Sequence, residues 1–267
     1  MSVIALSPLD LMLAAGLVLA LAACSRALQL NVHGTLLIAA GRTVIQLLLV
    51  GLVLKALFAY AAPGWVLLMA TIMLLAAGRE VIARQKRKLR GPWGYGIGLT
   101  AMFISSFAVT VLALTVIVQA EPWYRPQYAI PMLGMLLGNT MNSIALGMNH
   151  LTRSVVEQRE AIEARLALGH TRDEAVGDIR RESVRTGIIP IMNSMAAAGL
   201  VSLPGMMTGQ ILGGTPPVEA VKYQILIMFL IASGTGFGAL AAVHLTARRL
   251  FDDRHRLRLE ESLRERK

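Results

Sequence analysis

Four uncharged amides, Asn139, Asn142, Asn193 and Gln210, interrupt stretches 129–148 and 187–212, which hold no Asp, Glu, Lys or Arg. Amides donate and accept hydrogen bonds without titrating, so in an apolar stretch they suit helix contacts or a solute path rather than proton transfer. Methionines cluster in the same region: Met132, Met135, Met141, Met148, Met192, Met195, Met206 and Met207. A thioether is a soft ligand suited to Cu(I), and it is equally a common apolar filler. Arg42 and Gln46 lie one helical turn apart, where they can hold an anion or a partner helix, unless Arg42 only snorkels from a span end. Leu203-Pro204-Gly205 removes a backbone donor and loosens the next turn, so a helix through it must kink or break. With Met206, Met207 and Gln210 these residues are the candidates for lining a path. Helix–helix packing is the plainer use for several of the amides.

Catalytic constellations are missing from the same sequence. Stretches 96–118, 129–148, 187–212 and 224–246 contain no carboxylate, and neither a His-Glu-x2-His nor a Gly-x-Ser-Gly arrangement occurs. No dense His/Asp/Glu cluster marks a metal site. A Gly-x4-Gly-Lys-Ser/Thr phosphate loop is also absent, so any ATP chemistry has to reside on another chain. A retinal protein needs a lysine inside its last span, and 224–246 has none. The residues fit passage or binding better than catalysis.

The elements that position them follow from composition. The 267 residues are 55% hydrophobic and only 16% charged, yet carry a formal charge of +10. That is too much apolar surface for a soluble fold of this size. A nucleic-acid binder would explain the charge and not the apolar bulk. About 20 apolar residues cross a bilayer, and seven stretches qualify: 7–25, 36–60, 63–78, 96–118, 129–148, 187–212 and 224–246. The expected fold is an all-α polytopic membrane protein, a single domain over 1–267 embedded in a lipid bilayer. The lone cysteine, Cys24, cannot form an internal disulfide. Leu21-Ala22-Ala23-Cys24 fits a lipoprotein cleavage box. No basic residue precedes the apolar run, so a retained helix is expected.

Basic residues sort by side. Of the 26 Lys and Arg, 22 fall in 25–34, 79–90, 150–186 and the tail from Arg248, which seven crossings place on one face. Arg125 and Lys222 alone fall opposite. The positive-inside rule then puts the N-terminus outside and the basic tail 248–267 in the cytoplasm.

Segment 150–186 is polar but regular. Residues 157–167 favour helix, Gly169 is a natural stop, and Thr171 with Glu174 has the capping-box spacing for a second helix ending near Arg185. A cytoplasmic helix–turn–helix is expected, either as a solvated connection or as a docking element. Its spacing resembles the cytoplasmic loop of bacterial ABC permeases, which reads Glu-Ala-Ala, then Gly, then Ile-x-Leu-Pro. Glu163-Ala164, Gly169 and Ile179 match, whereas Arg165 replaces the second Ala and Arg181-Glu182 stand where Leu-Pro would be. Such a loop transmits closure of an ATPase to the spans.

The run Leu203 to Gly214, with Pro217 and Glu219 to Ile225, resembles the UPF0014 family of membrane proteins, as do Gly138 to Asn142, Glu163-Ala164 through Leu168-Gly169, and Arg42-Thr43 with Gln46-Leu47. That family includes Fet-type iron-export ABC permeases of bacteria and plant aluminium-tolerance half-transporter subunits. The resemblance implies a permease subunit without its own ATPase, working as a homodimer with a separate ATPase subunit that holds ATP and Mg. It implies iron export across the bacterial inner membrane. Another metal, a small solute such as a nucleotide sugar, or ion-coupled secondary transport are the alternatives. No cofactor is expected on this chain.

Overall fold

The computed structural model describes residues 5–60 and 62–265. Six helices are long and apolar enough to cross a membrane: α1 Pro8–Ala27, α2 His33–Tyr60, α3 Pro63–Ala83, α4 Trp93–Ile117, α5 Pro126–Glu157 and, last in the chain, α10 Pro217–Arg249. Between α5 and α10 lie four shorter ones: α6 Arg159–Ala167, α7 Arg172–Ala175, α8 Gly177–Ala197 and α9 Gly205–Leu212. The chain ends in α11 Leu259–Ser262 and strand β2 Leu263–Glu265, which pairs antiparallel with β1 Arg87–Leu89. The protein is thus a polytopic all-α membrane protein carrying one small two-stranded ribbon.

The expected sixth span, 187–212, is not one helix. It divides into α8 and α9, with a turn over 198–204 between them. The break was expected at Leu203-Pro204-Gly205 and starts five residues before Leu203. Gly199 adopts a left-handed conformation (φ +82°) that a β-carbon would oppose. The carbonyl of Ala197 gathers the N–H groups of Leu200, Val201 and Ser202 at 3.3, 3.0 and 3.1 Å. Pro204 then stands as the residue before α9, where a missing donor costs nothing.

Two other boundaries are corrected. α3 runs five residues past Gly78, because Glu80 finds an ionic partner and Asn149 receives the helix end. The segment 150–186 is not a separate body. Its first residues continue α5 to Glu157, and its last belong to α8, which passes through Arg185 to Ala197 without stopping. Within the basic tail, residues 263–265 fold back as β2 onto β1.

Glycines set the packing of α5, α8 and α10. A β-carbon on Gly187 (α8) would lie 2.9 Å from the carbonyl oxygen of Ser143 (α5), and one on Gly238 (α10) 2.5 Å from Cγ2 of Thr140. Without a hydrophobic force between helices in lipid, such close approach of small residues supplies much of the association. α4 contributes two π-helical turns, Phe103–Phe107 and Ala113–Ile117. Ser105 and Thr110 there donate to Ala101 and Ser106 carbonyls at 2.7 Å, taking up acceptors within the widened turns.

The obstruction at Gly187 is backbone, so no rotamer change relieves it. Overpacking costs about 1–3 kcal/mol even for added methylenes. A Gly187→Leu chain is expected to lose most of its monodisperse peak in detergent size-exclusion chromatography. An unchanged peak would show that the α5–α8 contact is loose.

α1 and α2 stand apart. Leu57 is the one buried residue of α2, and α1 buries only Ala22 and Ser25. Their leucine surfaces would be untenable in water and are ordinary in lipid.

Candidate functional site

The residues singled out from the sequence fall into two groups, one at the basic end of the bundle and one along the faces of α5, α8 and α9, with Arg42 and Gln46 apart from both on α2.

At the basic end, α6 is pinned by Ile162, which is 1% exposed. Glu163, Ala164 and Gly169 are exposed around it. Glu163 pairs with Arg159 at 2.8 Å, one turn back on the same helix, so it stiffens α6 and leaves the surface charged. Gly169 makes the turn at φ +91°. Thr171 caps α7 as its spacing predicts: its hydroxyl accepts from the Glu174 N–H, and Glu174 accepts from the Thr171 N–H at 2.7 Å. Those bonds hold the Glu174 carboxyl below its ordinary range.

Ile179 departs from the docking reading. It is buried in the core and fastens the start of α8, so it belongs to the lever behind the docking surface rather than to that surface. Arg165, which replaces the expected alanine, has a structural use. Its Nη1 donates to the Ala175 carbonyl at 3.1 Å and lies 3.7 Å from Asp178, tying α6 across the turn to the start of α8. Arg180 donates to Asp173 at 2.6 Å and depresses that carboxyl below its usual range. The turn also bares an apolar side chain: Leu168, at 80%.

Along the membrane faces, Asn139 and Asn142 share one exposed face of α5 with Leu146. Asn139 returns its Nδ2 to the Met135 carbonyl at 2.8 Å, and Asn142 accepts from Arg84 at the end of α3. Arg42 is neither free for an anion nor merely snorkelling, because it donates to Glu80 of α3 at 2.9 Å. Gln46 has no side-chain partner among the described residues. Glu80 and Arg84 are one turn apart on α3, so α2, α3 and α5 are joined by a line of polar contacts. Glu80 and Arg84 were missed because charge was read as the end of a span. Their i, i+4 spacing was the available signal.

Asn149 and Gln85 were missed as well. Asn149 donates to the Arg84 carbonyl and accepts from the Lys86 N–H, both at 3.0 Å, and so receives the end of α3. Gln85, 2% exposed, donates to the Met148 sulfur at 3.2 Å. Met148 and Met132 are thereby core residues, whereas Met192 is 58% exposed.

α8 runs antiparallel to α5, with Gly187 beside Ser143 and His150 bonded to Ser183 at 3.0 Å. At about 1.5 Å rise per residue, Asn193 and Asn139 lie within about a turn of the same depth. Asn193 is exposed and makes no side-chain hydrogen bond among the described residues. Beyond the break, Gln224 of α10 accepts from the Met207 N–H at 3.3 Å and fixes the first turn of α9. Gln210 has its Oε1 enclosed without a partner among the described residues, and Met206 packs into the apolar cluster around Leu136 and Ile227. Pro204, Gly205, Met206, Met207 and Gln210 thus sit together on α9 and its approach, while Arg42 and Gln46 sit apart on α2. No group of three His, Cys, Asp or Glu converges among the described residues.

Such a bundle, with exposed amides on its apolar faces and an exposed helix at its basic end, is the build of a multi-pass membrane protein. The chain belongs to the family described as Uncharacterised protein family (UPF0014), which matches residues 8–251. It is similar to the UPF0014 membrane protein slr1647 of Synechocystis sp., at 41% identity over 85% of this chain and 87% of that one. It is also similar to the Probable iron export permease protein FetB of Escherichia coli, at 35% identity over 86% of each chain. A third relative, Protein ALUMINUM SENSITIVE 3 of Arabidopsis thaliana, is 30% identical over 81% of this chain and 77% of its own. No solved structure matches the chain.

Proposed function

We propose that the chain is the permease subunit of an ATP-driven ABC exporter, that it works as a homodimer with a separate ATPase subunit carrying ATP and Mg, and that its cargo is iron leaving the cytoplasm. The carrying observation is the continuity of α8. One helix starts at the capped turn beside the exposed α6 and ends at the break in the membrane, so a push on the turn reaches the break through unbroken backbone. The exposed amide faces of α5 and α8 support the homodimer, since amides bared at lipid depth are costly unless a second copy or water covers them. The similarity to an iron export permease supports the cargo. The basic loops support a cytoplasmic position for α6 and α7, in the bacterial inner membrane.

Reconstitution in vesicles with the ATPase subunit tests this reading. ATP hydrolysis and export are expected to rise with Fe(II) and to stay at the basal rate with other metals and small sugars. A flat response to iron with a clear response to another solute would overturn the cargo. Transport by this chain alone, driven by an ion gradient, would overturn the ATP-driven class and leave a secondary carrier, for which Glu80 would be the first carboxylate to substitute.

A further inference from the structure

The ribbon formed by the α3–α4 loop and the chain end has an unresolved charge. In the antiparallel register of β1 and β2, Lys88 stands directly opposite Arg264. Directly opposed residues of such a pair lie on one face with β-carbons about 5 Å apart, and like charges there are destabilising. The ribbon is nevertheless secured. The Arg90 N–H donates to the Ser262 carbonyl at 2.8 Å, its Nε to the Leu263 carbonyl at 3.2 Å, and Leu89 and Leu263 are buried beneath. Lys88, Arg90 and Arg264 have no carboxylate partner among the described residues.

All three line one cavity of about 590 Å³, together with Gln85, Gly91 and Gly94. Its depth in the membrane is marked by Trp93, the first residue of α4, which is half exposed and lies 4.4 Å from the guanidinium of Arg249 in the last turn of α10. Tryptophan beside arginine at the ends of two spans is the pattern of the headgroup layer. Apolar surface lies along α3 on the same side as the cavity. Ile82 lines it, and Leu75, seven residues earlier on the same face of α3, is exposed next to Tyr95, whose hydroxyl donates to the Leu75 carbonyl at 3.3 Å.

We propose that this cavity binds the phosphodiester headgroup of an anionic phospholipid, with Lys88, Arg90 and Arg264 around the phosphate and an acyl chain lying along Leu75 and Tyr95. An anion between Lys88 and Arg264 turns their repulsion into a shared contact, and cationic pockets at the end of a span are the usual form of such sites. The bound lipid ties the chain end to the α3–α4 loop, beside the segment that carries α6.

The test is native mass spectrometry of the full-length chain in detergent, titrated with phosphatidylglycerol and with phosphatidylcholine. The wild type is expected to retain phosphatidylglycerol selectively. Lys88→Gln with Arg264→Gln is expected to weaken that retention roughly 25-fold, about fivefold per cation, and to leave phosphatidylcholine unchanged. The same pair as Lys88→Arg and Arg264→Lys restores it. Arg181→Gln with Arg185→Gln, an equal loss of charge elsewhere at the basic end, leaves retention intact. Because the Gln pair removes a like-charge opposition, its melting temperature in lipid-free detergent is expected not to fall, which separates loss of binding from loss of fold. Equal retention by the wild type and the Gln pair would overturn the proposal. Complete displacement of the lipid by inorganic phosphate would assign the site to a free anion, and selective binding of a polyglutamate peptide with no lipid preference would assign it to an acidic protein segment. Either result overturns the lipid.

Discussion

A Leu168→Asp chain is expected to bind the proposed ATPase subunit about two orders of magnitude more weakly while folding normally. An apolar anchor at the centre of a docking surface contributes about 2–4 kcal/mol on truncation, and a carboxylate in the same pocket adds an unpaired charge. Leu168 is suited to be that anchor. It is 80% exposed, it caps the end of α6, and it is followed at once by the left-handed turn at Gly169. Glu163, one turn earlier, already has Arg159 as a partner and offers charge rather than an apolar contact. Co-purification at falling ATPase concentration measures the effect, and the size-exclusion profile of the lone chain checks the fold. Wild-type affinity in the Leu168→Asp chain would move the docking surface away from α6. Export by a Glu163→Arg chain at the normal rate would count against coupling through this helix as well.

The second large effect is expected from closing the break. Gly199→Ala with Pro204→Ala shifts the local preference toward helix by about 4 kcal/mol, about 1 from the glycine and about 3 from the proline. That is nearly three orders of magnitude in the balance between a broken and a continuous span. The expected outcome is a chain that inserts and binds its partner but no longer transports, with amides of 198–204 newly protected from hydrogen exchange. Normal transport by a chain with those amides protected would show that the break is dispensable. The left-handed Gly199 and the carbonyl of Ala197 that collects three donors are the features this pair of substitutions acts upon.

What could be read from the residues alone divides by range. The Thr171 cap and the Gly169 turn depend on neighbours within three positions, and both stand as their spacing indicates. The apolar stretches were legible for the same local reason. Partnerships across the bundle were not. The end of α3 looked like Gly78 because Arg79 and Glu80 follow it, and only the distant Arg42 and Asn149 make a longer helix acceptable. Ile179 looked like part of a docking loop, and the helix it begins buries it. The line from Arg42 through Glu80 and Arg84 to Asn142 joins residues up to 100 positions apart, which no periodicity could reveal. The end of the break was legible at Pro204 and its beginning was not, because the chain already turns at Gly199.

The position of Gly187 has a mechanical consequence. It lies ten residues from each end of α8, and it is the point where that helix presses on the Ser143 carbonyl of α5. A helix held at its midpoint is a balance beam with two arms of about 15 Å each, the outer one containing Pro190, whose missing N–H leaves one helical bond unmade. A rotation of about 8° about that fulcrum moves each tip by roughly 2 Å, in opposite directions. Pressure at Gly177 is therefore reversed on its way to Ala197, inward push on the turn becoming outward swing at the broken span, with Pro190 the one place where the outer arm can bend.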